Sequence, residues 1–265
     1  LAGRLSILFR HDEKLFDYAK ICMKPTDRAL SIFEAFELAE RPLTLSELAN
    51  MAGLPVSTCH GIVGTLLQRG YLYLTSRRKD LYPTRRLADM AARIGRHDPY
   101  LERLEPHLEA LRAATLETVI VGKRQNNEIV YLSVLEGPQN IRYSAAAGDL
   151  KPLHSTSIGK ALLSTLDHDS ARRWADTHTL STVTPNTLTD ADALIADLQA
   201  GRERGFFVTR GESVSDVLAV AAPVLVDHEL LGIAIAGPLH RMAAGVDAIA
   251  DQLLRAKALI EASRS

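Results

Sequence analysis

Cysteine is nearly absent from this sequence. Only Cys22 and Cys59 occur, far apart and with Cys59 inside an apolar helical stripe, which excludes a disulfide framework or a Cys-rich zinc site and fits a reducing cytosol. Long hydrophobic runs are also lacking. The apolar stretch within residues 1–9 is short and is followed by Arg10-His11-Asp12-Glu13-Lys14. Residues 1–24 therefore read as a soluble N-terminal extension rather than a secretory leader, and no stretch approaches the roughly 20 apolar residues of a membrane span. Nor does charge of one sign dominate: the formal net charge is −1, so a polyanionic partner would have to be recognised by where the basic residues lie, not by how many there are. G-x-S-x-G, H-E-x-x-H and P-loop patterns are missing, and Ser213-Val214-Ser215-Asp216 reads as a turn between strands. These absences point away from an enzyme, a metal site or a cofactor. There is no internal repeat and no low-complexity tract.

What is present is enough for two domains. A chain of 265 residues, 46% hydrophobic and 24% charged, can bury more than one core and shows no signature of wholesale disorder. Between 27 and 39, Leu30, Ile32, Phe33, Phe36 and Leu38 recur at near-helical spacing, with Thr26 or Asp27 as the cap and Pro25 just before. Arg41-Pro42 breaks that helix. Thr44 with Glu47 three residues later has capping-box spacing and predicts a short helix through Met51, which Gly53 ends. A third helix is expected from Pro55 to about Arg69, stopped by Gly70. Its inward stripe is Cys59, Ile62, Val63, Leu66 and Leu67, which leaves Ser57, Thr58, His60, Gly61, Gly64, Thr65 and Gln68 outside. Short strands at 71–74 and 81–82 then flank Thr75-Ser76-Arg77-Arg78-Lys79-Asp80, a hairpin with a basic tip. Three helices and a basic hairpin make a winged helix-turn-helix.

Such a fold puts its third helix in the major groove of double-stranded DNA. Ser57 and Thr58 are placed for phosphates or bases, His60, Gly61 and Thr65 for the groove, and Arg77, Arg78 and Lys79 for an adjacent phosphate or the minor groove. Arg69, Arg85 and Arg86 extend the footprint. The alternative is a three-helix core with a solvated basic turn. Gly61 and Gly64 sharpen the choice, because each helical glycine costs about 1 kcal/mol against alanine; close approach to DNA or to another helix would offset it.

Segments 87–94 and 100–116 read as linker helices. From Thr118 the pattern turns to strands, at 118–121, 129–135, 141–144, 206–209, 217–226 and 230–236, with helices at 158–166, 191–204 and 243–262 between them. The expected division is an extension at 1–24, a winged helix-turn-helix at 25–86, linker helices at 87–116 and a largely antiparallel α/β domain at 117–265, an α+β chain as a whole.

The sequence resembles the IclR family of transcriptional regulators. Arg28-Ala29-Leu30-Ser31-Ile32, the run 43–49, Gly53-Leu54-Pro55-Val56-Ser57-Thr58 and Arg69-Gly70-Tyr71-Leu72 look like that family's DNA-binding domain. Leu153-His154-Ser155-Thr156-Ser157-Ile158-Gly159-Lys160-Ala161, Arg204-Gly205-Phe206, Ala221-Ala222-Pro223-Val224 and Gly237-Pro238 resemble landmarks of its effector domain, over about residues 25–262. The resemblance implies a GAF-like effector domain and a homodimer or dimer of dimers on a palindromic operator beside catabolic genes, as repressor or activator. Gly61 stands where the family commonly has arginine, which shifts base reading toward Ser57, Thr58, His60 and the wing.

Similarity to the family also places an effector between the loop 153–161 and the sheet near Thr209, Ala219, Ala234 and Ala236. Leu153 and Ile158 would be apolar walls, and Ser155, Thr156 and Ser157 would hold a carboxylate or merely cap a helix. Small apolar residues at Ala219, Ala234 and Ala236, where relatives that bind short oxo-acids tend to be polar, imply an aromatic or otherwise bulky carboxylic acid. The competing readings are a small aliphatic oxo-acid, or a protein-interaction module without DNA binding. His154 reads as a structural histidine, and Arg210 as solvent-facing or paired with an anionic effector.

Overall fold

The computed structural model describes residues 25–75, 79–95, 98 and 100–262. The extension 1–24 and the tip residues Ser76, Arg77 and Arg78 lie outside the described residues. Contacts divide the chain into two compact units between residues 97 and 98.

The first unit holds α1 (Pro25–Ala39), α2 (Leu45–Met51), α3 (Val56–Gln68), β1 (Leu72–Leu74), β2 (Leu81–Pro83) and α4 (Arg86–Gly95). The capping box forms: Thr44 Oγ1 accepts from Glu47 N at 3.3 Å, and the Thr44 N–H donates to Glu47 Oε2 at 2.8 Å. The Thr44 backbone, its hydroxyl and Arg41 together pull the Glu47 carboxyl down to about 2. Gly53 and Gly70, at φ +64° and +72°, take the left-handed positions that end α2 and α3, as their spacing predicts. The core is Ile32, Phe36, Leu43, Leu48, Cys59, Val63, Leu66, Leu72 and Leu81. Leu43 adds a bridge to Leu81, which ties the turn before α2 to the hairpin. No residue of α4 is buried.

The second unit begins with α5 (Leu101–Thr115), read in the sequence as linker; its Leu104, Leu108 and Leu111 are buried in this unit's core. Then follow β3 (Thr118–Gln125), β4 (Glu128–Leu135), β5 (Leu150–Pro152), α6 (Ser157–Leu163), α7 (His168–Thr177), α8 (Ala191–Arg204), β6 (Phe207–Arg210), β7 (Val217–Val226), β8 (Glu229–Pro238), α9 (Leu239–Met242), a 3-10 turn and α10 (Val246–Ala262). The six strands form one antiparallel sheet in the order β5-β4-β3-β8-β7-β6. Strand alternation divides its side chains between two cores. Val119, Val121, Val220, Ala222, Ile233 and Ile235 pack with α5 and α10, whereas Ile120, Ala221, Ala234 and Ala236 share the core of the other face with Ile158, Trp174 and Leu194.

Two expectations change. Residues 141–144 form no strand. Thr118 Oγ1 donates to the Tyr143 carbonyl at 2.5 Å and Arg241 Nη2 to the Ile141 carbonyl at 3.0 Å, so the acceptors of a ladder are taken by side chains from elsewhere. The place beside β4 goes instead to β5, with Val130 opposite Leu150. Helix α7 was not expected, because its buried face is only Ala171, Trp174 and Ala175 in an otherwise polar stretch. Among the described residues, no helix is long and apolar enough to cross a membrane and no cluster of His, Cys, Asp and Glu suits a metal.

Candidate functional site

In the first unit, α3 turns Cys59, Val63 and Leu66 inward, and Ser57, His60, Gly61, Gly64, Thr65 and Gln68 are exposed; Thr58 is half-buried. At 100° per residue, Ser57, Gly61, Gly64 and Gln68 cluster on the side opposite the buried stripe. Among the described residues no side chain caps the N-terminus of α3, which leaves its first N–H groups to an anion. The Thr65 hydroxyl is turned back to the Gly61 carbonyl at 3.2 Å. A Cβ built on Gly61 or Gly64 would meet nothing within 4 Å. Close packing against another described helix of this unit therefore does not account for the two glycines.

Around this face stand arginines with partners of their own. The Arg69 and Arg86 guanidinium groups lie 5.8 and 5.0 Å from the centre of the Tyr71 ring, and Arg85 pairs with Asp89 at 3.2 Å. These contacts order the side chains but leave most of their N–H groups for other acceptors. Lys79 is exposed at a left-handed backbone position (φ 55°) of the hairpin turn.

In the second unit, a recess opens on the face of the sheet toward α6. Its floor is Ala219, Ala234, Ala236 and Ile120; Thr209 stands on one side and Ile158 and Ser157 cover it from α6. Strand pairing explains the floor. Thr209 lies opposite Ala219, Ala219 opposite Ala236 and Ala236 opposite Thr118, one row across four strands, with Ala221, Ala234 and Ile120 in the next row on that face. Four alanines at neighbouring points make the surface low and flat.

Helix α6 is seated unusually close. A Cβ on Gly159 would lie 2.0 Å from the Leu153 carbonyl oxygen, and one on Gly232 2.6 Å from Ile158 Cγ2; glycine lets the helix enter and Ile158 sink onto the sheet. Behind it Lys160, completely buried, lies 2.6 Å from Glu212 Oε2 and 2.8 Å from Asp197 Oδ2. These are ion-pair distances whose angles fall short of good hydrogen bonds. Burial pushes the Glu212 carboxyl up, against the pull of Lys160. Thr184 Oγ1 donates to the Gly211 carbonyl at 2.6 Å and Thr187 Oγ1 to that of Glu212 at 2.7 Å. Together they hold the loop that brings Ser213 and Val214 to the rim.

Of the residues expected around an effector, Ser157, Ile158, Thr209, Ala219, Ala234 and Ala236 meet at this recess. Leu153 and Ser155 do not line it. Leu153 is completely buried in the core, and the Ser155 hydroxyl is buried with no hydrogen-bond partner among the described residues. Thr156 lines the recess but caps α6, accepting from Gly159 N at 3.1 Å and donating to the Pro152 carbonyl at 3.0 Å. His154 is structural, with Nε2 2.9 Å from the Ser181 carbonyl and its basicity lowered chiefly by burial. Arg210 is exposed. The sequence reading missed Tyr131, Tyr143, Ser213, Val214 and Val217 on the walls. Tyr131 could have been found, since it sits two residues from the buried Ile129 on β4 and so shares its face. Burial and the neighbouring Tyr143 push its phenol well up, so it is a neutral hydrogen-bonding group. Among the described residues, the recess is lined by hydroxyls and apolar groups and by no Lys, Arg or His.

Comparison with known proteins agrees with both halves. The family described as bacterial transcriptional regulator IclR C-terminal matches residues 94–261, and the IclR helix-turn-helix domain matches residues 25–76. The HTH-type transcriptional regulator BhcR of Paracoccus denitrificans is 31% identical over 88% of this chain and 85% of its own length. The crystal structure of the Thermotoga maritima IclR superposes with a TM-score of 0.73 at 23% identity, over 88% of this chain and 97% of that one. An IclR homolog from Microbacterium hydrocarbonoxydans, complexed with 4-hydroxybenzoate, superposes with a TM-score of 0.67 at 23% identity, over 89% and 97% of the two chains.

Proposed function

The chain belongs to the IclR family of transcriptional regulators, and from that premise we propose that it binds a palindromic DNA operator as a homodimer or dimer of dimers and answers to an aromatic carboxylic acid. Membership makes it a regulator with a DNA-binding domain and a ligand-binding C-terminal domain, not an enzyme. The observation that carries the finer reading is the floor of Ala219, Ala234 and Ala236 beneath Ile158, with the hydroxyls of Ser157, Thr209 and Ser213 around it. Such a floor suits the apolar face of an aromatic ring, and it offers a short oxo-acid no polar side chain of its own. The 4-hydroxybenzoate in the Microbacterium homolog is an acid of the same class.

The test is a gel-shift titration on DNA flanking the chain's own gene, with and without aromatic and aliphatic acids. A shift that weakens steeply with salt and changes with an aromatic acid is expected. Response to aliphatic oxo-acids alone would remove the aromatic assignment, and no shift at low salt would favour a protein-interaction module.

The DNA-facing role of α3 has its own test in Gly61→Ala and Gly64→Ala. Both positions are open in the free chain, so each substitution is expected to stabilise the first unit by about 1 kcal/mol. At the same time operator affinity should fall by about tenfold, because the added methyl holds the helix off the groove. A higher melting temperature with unchanged affinity would show that this face does not approach DNA.

A further inference from the structure

The middle of α3 has little to offer a hydrogen-bond acceptor. Its outer face carries Gly61 and Gly64, which have no side chain, and Thr65, whose hydroxyl hydrogen is already given to the Gly61 carbonyl at 3.2 Å. All three residues are exposed. Exposed side chains that can donate stand only toward the two ends, Ser57 and His60 before this stretch and Gln68 and Arg69 after it. The Arg69 guanidinium is drawn to the Tyr71 ring, 5.8 Å from its centre. From Gly61 to Thr65 is four residues, about 6 Å along the helix axis, which matches about two base-pair steps of ~3.4 Å each.

What Thr65 has left is a methyl group and the lone pairs of its oxygen. A helical side chain leans toward the turn before it, and the bond to the Gly61 carbonyl places Thr65 over Gly61. The backbone there is bare, with open space where a Cβ on Gly61 or Gly64 would stand. Ile62 and Ala29 line the same shallow groove as Gly61 and Thr65 and make its flank apolar. A threonine side chain is short, so it touches a base only if its helix comes close to the floor of the DNA groove. Two glycines beside it allow that approach.

In the major groove guanine shows two acceptors, whereas an A·T pair shows the adenine amino group and the thymine C5-methyl. A face with no free donor leaves the acceptors of guanine unmet, which is costly. Against A·T the same face gains a methyl contact and leaves the Thr65 oxygen facing an amino hydrogen. We propose that Thr65 is a specificity-determining residue whose methyl reads the C5-methyl of a thymine, so that each operator half-site carries an A·T pair where the centre of α3 meets it. The proposal rests on α3 being the helix in the major groove, and it names one base pair of the target.

The experiment is a gel-shift titration of the full chain on the footprinted DNA flanking its own gene, with each thymine of the half-sites replaced singly by uracil. That change removes the methyl and leaves every hydrogen-bonding group in place. One thymine in each half-site is expected to lose about fourfold in affinity, the worth of one buried methyl, and a G·C pair there about tenfold. Thr65→Ser keeps the hydroxyl without the methyl; it should bind the thymine DNA about fourfold more weakly and no longer distinguish uracil from thymine at that position. Thr65→Val keeps a methyl without the hydroxyl and should still distinguish them. If no thymine methyl matters, if Thr65→Ser discriminates as the natural chain does, or if Thr65→Val does not discriminate, the proposal is overturned while DNA binding stands. No shift of this DNA at low salt would overturn both.

Discussion

Lys160→Ala is expected to destabilise the second unit by about 4 kcal/mol, measured as a drop in the urea midpoint followed by the fluorescence of Trp174, the chain's one tryptophan. Lys160 has no exposed surface, and its ammonium faces Glu212 and Asp197, whose side chains are only 11% and 28% exposed. Removing it leaves two carboxylates together in a low-dielectric site with no counter-charge, which costs far more than the pair itself contributes. The control separates charge from packing. Lys160→Met with Asp197→Leu and Glu212→Leu removes all three charges and should recover most of the lost stability. A loss below about 1 kcal/mol for Lys160→Ala, or a triple variant no better than the single one, would show that the three groups do not work as a charge-balanced unit.

Gly159→Ala should do comparable damage by a different route. The added Cβ would lie 2.0 Å from the Leu153 carbonyl oxygen and 2.6 Å from the Leu153 Cα. Both are backbone atoms, so no rotamer change relieves the overlap. Either α6 lifts or the turn at Leu153 opens, and both routes disturb Ser157 and Ile158 over the alanine floor. Overpacking against backbone is expected to destabilise the second unit by about 3 kcal/mol or more and to remove the response to any acid. A native urea midpoint with intact ligand response would mean that the close seat of α6 can relax without consequence. The contrast with Gly61 and Gly64 is instructive, since the same substitution is harmless to the fold where nothing stands within 4 Å.

How far the sequence carried the reading depends on the range of the forces involved. The helix-turn-helix was legible because its signals are local: Thr44 with Glu47, Gly53, Pro55 and Gly70 all act on backbone within a few residues. Strand β7 at 217–226 and helix α8 at 191–204 were found at their observed bounds, and Asp190 at the cap of α8 and Gly205 at its end are the local signals that fix that helix. The strand expected at 141–144 was not there. Its carbonyls are captured by Thr118 and Arg241, which are distant in sequence, and no local pattern reports that. The candidate site shows the same division. Ala219, Ala234 and Ala236 came from resemblance and lie together on the floor, whereas Tyr143 and Val214 reach the walls from irregular segments whose course only the folded sheet determines. Ser155 was expected beside the ligand because the resemblance puts an effector at the loop 153–161, whose hydroxyls lead into a helix, but successive residues entering α6 point in different directions and its hydroxyl is buried.

The alternation of the central strands has a consequence for how such a protein can change over evolutionary time. On β7 and β8 the residues touching the recess, Ala219, Ala234 and Ala236, are interleaved with Val220, Ile233 and Ile235, which hold the opposite core. Each mutable wall position is thus flanked by fold-holding ones, yet the sheet itself screens the two sets from each other. New chemistry can be written into one register of the strand while the other keeps the scaffold folded. A lineage can therefore vary the residues that face an effector without touching Val220, Ile233 and Ile235, and the cost of a larger side chain at the buried Ala234 or Ala236 falls on the second core alone.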